Sequence, residues 1–152
     1  KKENQIEELA KNLNGCRILL AEDNDLNAEI AMTILQEHGV QVERAVNGEE
    51  CVEMLKAQTA DYYDAVLMDI QMPVMNGYDA ARAIRQLTTP HAAVSIIAMT
   101  ANAFEEDKQK AFAAGMDAYI TKPVDVVSMM KTLHQIIETH RSDPDLSENK
   151  YL

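Results

Sequence analysis

Between Arg17 and Thr139, apolar runs of strand length alternate five times with stretches of helical periodicity. A strand that is apolar throughout has to be buried on both faces, which happens in parallel sheets covered by helices on each side. The runs are Arg17 to Ala21 (RILLA), Val40 to Ala45, which alternates, Asp64 to Asp69 (DAVLMD), Val94 to Thr100 (VSIIAMT) and Met116 to Ile120. The first helical stretch, Asp25 to His38, carries Leu26, Ile30 and Ile34 at spacing four and is closed by Gly39. The second opens on Asn47, an N-cap with Glu50 three residues on, and continues through Val52 and Leu55. Tyr78 to about Leu87, Phe104 to Ala114 before Gly115, and a helix from about Asp125 follow. The last carries a core-facing stripe of Val126, Met129, Met130, Leu133, Ile136 and Ile137. Five βα units in this order predict a doubly wound α/β sandwich.

A chain of 152 residues, 47% of them apolar, is long enough for one core without covalent staples. Cys16 and Cys51 stand in apolar surroundings with no Cys or His at metal spacing, which fits buried thiols in a reducing compartment and excludes zinc. The formal charge of −11 disfavours nucleic acid, because no basic stripe faces the phosphates. No apolar run reaches membrane-spanning length, so a soluble, cytoplasmic protein without membrane contact is expected. Residues 1–16, with Ile6, Leu9 and Leu13, read as a linker or connecting helix, and residues 140–152 as a polar tail. The domain itself is placed at residues 17–139, which hold all but one unit of the net charge.

In open parallel sheets, ligands bind outside the carboxyl ends of the strands. Here the first strand ends in Glu22-Asp23, the third in Asp69, the fourth in Thr100, and the fifth runs into Lys122-Pro123. Three carboxylates with one ammonium and one hydroxyl suit a hard cation beside a cradle for an anion. Magnesium fits best, because it takes oxygen ligands and uses few carboxylates together with a phosphate. Without a cation the clustered acids repel one another. Asp69, with an apolar strand behind it, is also placed to act as a nucleophile that forms an acyl phosphate.

The strings AEDN (Ala21 to Asn24), LMDIQMPVMNG (Leu67 to Gly77), MTANA (Met99 to Ala103) and YITKP (Tyr119 to Pro123) resemble the receiver domain of two-component response regulators. Their wording, with Asn27, is most similar to receivers attached to hybrid sensor histidine kinases. The resemblance covers nearly all of residues 17–139 and implies a flavodoxin-like fold with strand order 2-1-3-4-5. It further implies that Asp69 accepts a phosphoryl group from the phosphohistidine of a histidine kinase or histidine phosphotransfer domain. Glu22, Asp23, Asp69 and the main-chain carbonyl of Gln71 match the Mg2+ ligands. Thr100 matches the hydroxyl that bonds the phosphoryl oxygen, and Lys122 the ammonium that neutralises it. Tyr119 matches the aromatic switch of the surface formed by the fourth and fifth units, and Lys122-Pro123 the cis peptide. Homodimerisation through those same units is a habit of that family.

Other functions on this fold are weighed against the same residues. A flavodoxin-like electron carrier needs a Ser/Thr/Gly-rich phosphate loop after the first strand, where this chain has acids, and aromatics to sandwich the flavin, whereas it has no Trp. A haloacid-dehalogenase-like phosphatase needs a second Asp two residues past the nucleophile as general acid, and position 71 is Gln. A receiver that binds a partner without being phosphorylated usually lacks one of the acids, the Thr or the Lys, and none is missing here. His38, His91, His134 and His140 show neither metal spacing nor a triad partner.

Overall fold

Strand β3 (Ala65–Asp69) is buried at all five positions, as the innermost strand of a two-sided parallel sheet must be. The computed structural model describes residues 2–102 and 104–142 and places β3 at the centre of five parallel strands. The others are β1 (Arg17–Ala21), β2 (Gln41–Ala45), β4 (Ile96–Thr100) and β5 (Ala118–Thr121), in the spatial order β2-β1-β3-β4-β5. Six helices accompany them: α1 (Lys2–Leu13), α2 (Asp25–Glu37), α3 (Gly48–Lys56), α4 (Gly77–Arg85), α5 (Glu105–Ala113) and α6 (Val126–Ser142). The fold is the doubly wound, flavodoxin-like sandwich expected, with the expected strand order.

Alternate strand residues feed two cores. Leu19, Val66, Met68, Ile96 and Ala98 pack with α3, α4 and α5. Ile18, Leu20, Leu67, Ile97 and Met99 pack with α1, α2 and α6. Each fully buried Leu, Ile or Met contributes about 1.5–3 kcal/mol by leaving water. Both cysteines are buried, and burial pushes the Cys51 thiol up to about 12. No helix among the described residues is long and apolar enough to cross a membrane.

The structure refines the sequence reading at α2 and at the starts of β4 and β5. Of the apolar residues spaced by four along α2, Leu26 is 65% exposed and Ile30 50%, while Ile34 packs partly against the core beside the buried Ala28, Ala31 and Leu35. Small side chains let the helix backbone come close to the sheet, and one Leu anchors it, so the bulkier Leu26 and Ile30 turn outward. β4 begins at Ile96 rather than Val94, because a short 3-10 turn, Pro90–Ala93, delivers the chain to it. β5 begins at Ala118 rather than Met116, because Gly115 takes φ +99° and the Met116 N–H donates back to Ala111 O at 3.0 Å, spending Met116 on the helix end.

The stretch read as a linker or connecting helix forms a helix that docks on the domain. Leu9, Ala10 and the buried Leu13 of α1 pack into the core that α6 shares, and Asn12 donates to His134 Nε2 at 3.0 Å. The turn after α1 is tied to the α2–β2 turn by Gly15 N–H donating to Gly39 O at 2.9 Å. Gly39 has φ +83°, and a Cβ there would collide with the Asn14 side chain. At the other end, α6 runs to Ser142, into the stretch expected to be a polar tail, whose remainder, 143–152, lies outside the described residues. Leu13→Ala is expected to cost about 2–5 kcal/mol, as cavity-forming core substitutions do. Lys11→Ala, exposed on the same helix, is expected to cost less than about 0.5 kcal/mol. Urea unfolding of the two variants makes the comparison.

Candidate functional site

Strand register brings the site together. Ala21 pairs with Met68, Asp69 with Met99, and Thr100 with Thr121. β1, β3, β4 and β5 therefore end nearly level, and Glu22, Asp69, Thr100 and Lys122 meet on one rim. The turn out of β1 is fixed from both sides. Asn24 caps α2 by accepting from Asn27 N–H at 2.9 Å, and its own N–H donates to Glu22 Oε2 at 3.2 Å. The Glu22 carbonyl accepts from Arg44 Nε at 3.0 Å and Nη2 at 2.9 Å. Arg44 was not singled out from sequence, because it lies on β2, the strand whose end carries none of the converging groups.

Glu22 is 2% exposed and Asp69 6%, while Asp23 is exposed. Each of the three offers a carboxylate oxygen, and these atoms all lie within 4.8 Å of one another. Lys122 Nζ is 3.1 Å from Glu22 Oε1 and 3.2 Å from Asp69 Oδ2. Burial alone pulls the Lys122 ammonium down, but Asp69 and then Glu22 outweigh it, and its pKa ends above the ordinary lysine value. A pKa raised by folding stabilises below the unfolded value and is lost only as pH rises through the folded one, so the bridge is intact throughout the neutral range. One ammonium against three carboxylates leaves two negative charges in a partly buried pocket, the condition a divalent oxygen-seeking cation relieves. The donor set therefore fits Mg2+. Asp69 Oδ1 takes no hydrogen bond from any described residue.

These groups line one wall of a cavity of about 780 Å³, together with Gln71 and Thr100. The Thr100 hydroxyl donates to Asn102 O at 3.2 Å and accepts from Asn102 N–H at 3.1 Å, so it is occupied locally and does not bond Asp69. Tyr119 does not line the cavity; it lies against α5. The Lys122-Pro123 peptide is cis. Asn27, Asp107 and Lys110 also reach the cavity, and no strand-end reading could find them, because they sit on helix faces. An apolar groove of about 410 Å³ adjoins on the other side of Lys122, walled by Ile30, Ile34, Met99, Pro123 and Val124.

The loop that carries Gln71 is pinned by its neighbours. Gly77 N–H donates to Ile70 O at 2.9 Å and Gly48 N–H to Met75 O at 3.0 Å, and a Cβ at Gly77 would strike the Asp69 carbonyl oxygen. At its tip, Val74 holds φ +67°, spanned by Met75 N–H donating to Pro73 O at 2.7 Å. A β-branched residue in that region is strained and persists only where the surroundings over-determine it.

Comparison with known proteins agrees with this arrangement. The sequence profile described as response regulator receiver domain matches residues 18–134. Hybrid signal transduction histidine kinase L of Dictyostelium discoideum is 39% identical over 71% of this chain and 6% of its own length. Histidine kinase 1 of Arabidopsis thaliana is 33% identical over 90% of this chain and 14% of its own length. The chain thus spans a small part of these curated relatives. Among solved structures, the receiver domain of a sensor histidine kinase from Pseudomonas aeruginosa, described with a magnesium ion coordinated in its active site cleft, superposes with TM-score 0.74 at 36% identity, covering 82% of this chain and 98% of that one.

Asp23 contributes repulsion to the pocket without sharing the Lys122 bridge. Asp23→Asn is therefore expected to stabilise the protein in EDTA by on the order of 0.5–1 kcal/mol. The gain should grow as ionic strength falls, read from urea midpoints at two salt concentrations.

Proposed function

Because this chain belongs to the response regulator receiver domain family, we propose that Asp69 accepts a phosphoryl group from the phosphohistidine of a histidine kinase or histidine phosphotransfer domain. The observation that carries this reading is the Asp69 carboxylate itself: buried at the end of the central strand, bonded through Oδ2 to Lys122, and lining the cavity it shares with Glu22, Asp23 and Thr100. An Asp69 oxygen attacks phosphorus while the bond from phosphorus to the imidazole nitrogen breaks, and the electron pair leaves with the imidazole. Such transfers spread negative charge over the equatorial phosphoryl oxygens, so the protein's part is positioning and charge stabilisation. Lys122 already stands 3.2 Å from the acceptor and neutralises that charge. Glu22, Asp23, Asp69 and the Gln71 main-chain carbonyl would hold Mg2+, which supplies Lewis-acid neutralisation of the phosphoryl oxygens when bound.

The product places nearly two further negative charges at Asp69. The Thr100 hydroxyl, on the same rim and held among the described residues by its Asn102 turn, exchanges that bond for one to the phosphoryl group. Tyr119 follows it inward and changes the surface of β4, β5, α5 and α6. This is signalling rather than turnover: position 71 is Gln, and a phosphatase of the related type lacks its proton donor here. The curated relatives are histidine kinases in name, that of Dictyostelium discoideum a hybrid one, which supports a place for this domain in such a parent chain.

The outward stripe of α2 gives the donor a surface. Leu26 and Ile30 are exposed beside the apolar groove, whose wall includes Lys122 of the acidic pocket. A docked donor therefore reaches the acceptor from this side.

Acetyl phosphate with Mg2+ is expected to add about 80 daltons by intact mass, the mass of one phosphoryl group. The adduct is lost in Asp69→Asn and suppressed by EDTA. Sustained release of inorganic phosphate at enzymatic rates would count for the phosphatase, and no adduct at all for an unphosphorylated interaction module. Ile30→Glu is expected to slow transfer from a phosphohistidine protein by about tenfold, as loss of an interface anchor does, while acetyl phosphate labelling stays at the wild-type rate.

A further inference from the structure

Helix α5 holds the Tyr119 ring from two positions one helical turn apart. Lys108 Nζ stands 4.6 Å from the ring centroid, and the Phe112 ring meets it edge-on with centroids 6.1 Å apart and planes at 77°. Residues four apart on a helix share one face, so the two act as a single clasp. Glu105 stands three residues before Lys108, at the spacing of a helical ion pair, yet the ammonium makes no salt bridge among the described residues and rests over the ring instead. A cation over a tyrosine face is attracted by the ring's negative quadrupole, and Tyr119 cannot leave α5 without losing that contact.

We propose that Lys108 is a positioning residue for Tyr119, a latch that holds the ring on the α5 side and raises the threshold for switching. The proposal rests on the phospho-acceptor reading above and adds to it the element that opposes the inward state. A group that stabilises the ring against α5 disfavours every ligand that needs the ring elsewhere, by the same factor in both directions. Removing the Lys108 charge therefore tightens binding of a phosphoryl mimic at Asp69, although Lys108 touches neither the mimic nor the acidic residues. The gain expected from one exposed cation–π contact is about twofold to fivefold in affinity.

The experiment is a titration of beryllofluoride with Mg2+ into wild type, Lys108→Met, Lys108→Arg, Tyr119→Ala and the Lys108→Met/Tyr119→Ala double variant, followed by backbone amide NMR. Lys108→Met is expected to bind about twofold to fivefold more tightly than wild type. Lys108→Arg, which keeps a cation over the ring, is expected to return to the wild-type value. In the Tyr119→Ala background the Met substitution is expected to have no effect. Before any beryllofluoride is added, the Tyr119 ring proton shifts of Lys108→Met should already move toward their saturated positions. Equal affinities for wild type and Lys108→Met, or a Met effect that survives in Tyr119→Ala, would overturn the latch while leaving the acceptor site standing. If the wild-type chain takes up no beryllofluoride, the acceptor reading itself fails, and the latch falls with it.

Discussion

Lys122 bridges two buried carboxylates from separate strands, Glu22 after the first and Asp69 at the end of the third. Neither acid is tolerable there alone, because a buried carboxylate without a partner costs several kcal/mol. The bridge is also incomplete by design of charge: one ammonium cannot neutralise three acids, so the pocket keeps an appetite for a cation. Everything that surrounds it serves to hold those groups level. The parallel register puts the strand ends side by side, Asn24 and Arg44 immobilise the Glu22 turn, and the Ile70–Gly77 loop is locked by backbone bonds at both ends.

The acidic rim was legible in the sequence because strand ends are where open parallel sheets bind ligands, and because Glu22, Asp69, Thr100 and Lys122 each sit directly at such an end. The strands β1, β3 and β4 were legible because burial on both faces leaves no alternation in the sequence, and β2 because its residues alternate. What escaped were features set by packing distance. Leu26, Ile30 and Ile34 have perfect helical spacing, but spacing does not tell which stripe a helix lays down when alanines allow a closer approach. The strand starts at Ile96 and Ala118 were displaced by helix and turn endings whose hydrogen bonds have no composition signal of their own. Arg44 escaped because its role is to hold a main-chain carbonyl, and a carbonyl has no side chain to betray the pairing.

The resting arrangement is one of opposed local bonds rather than of slack. Thr100 is tied to Asn102, Tyr119 is clasped by α5, and Val74 is forced into a strained turn in the loop after Asp69. Each of these contacts is individually weak compared with the burial of the two hydrophobic layers.

The family profile starts at residue 18, yet the buried side chains of its first core layer begin before it. Leu13 and Cys16 are sealed inside the layer that α2 and α6 share, so an excision made at the profile boundary would strip a wall from that layer. Swapping receivers between chains by aligned motifs alone would carry the same hidden injury. A graft that respects the physics takes α1 along as part of the module, and treats whatever is spliced in front of it as joined to a rigid handle that leads through α6 to the cis-proline rim.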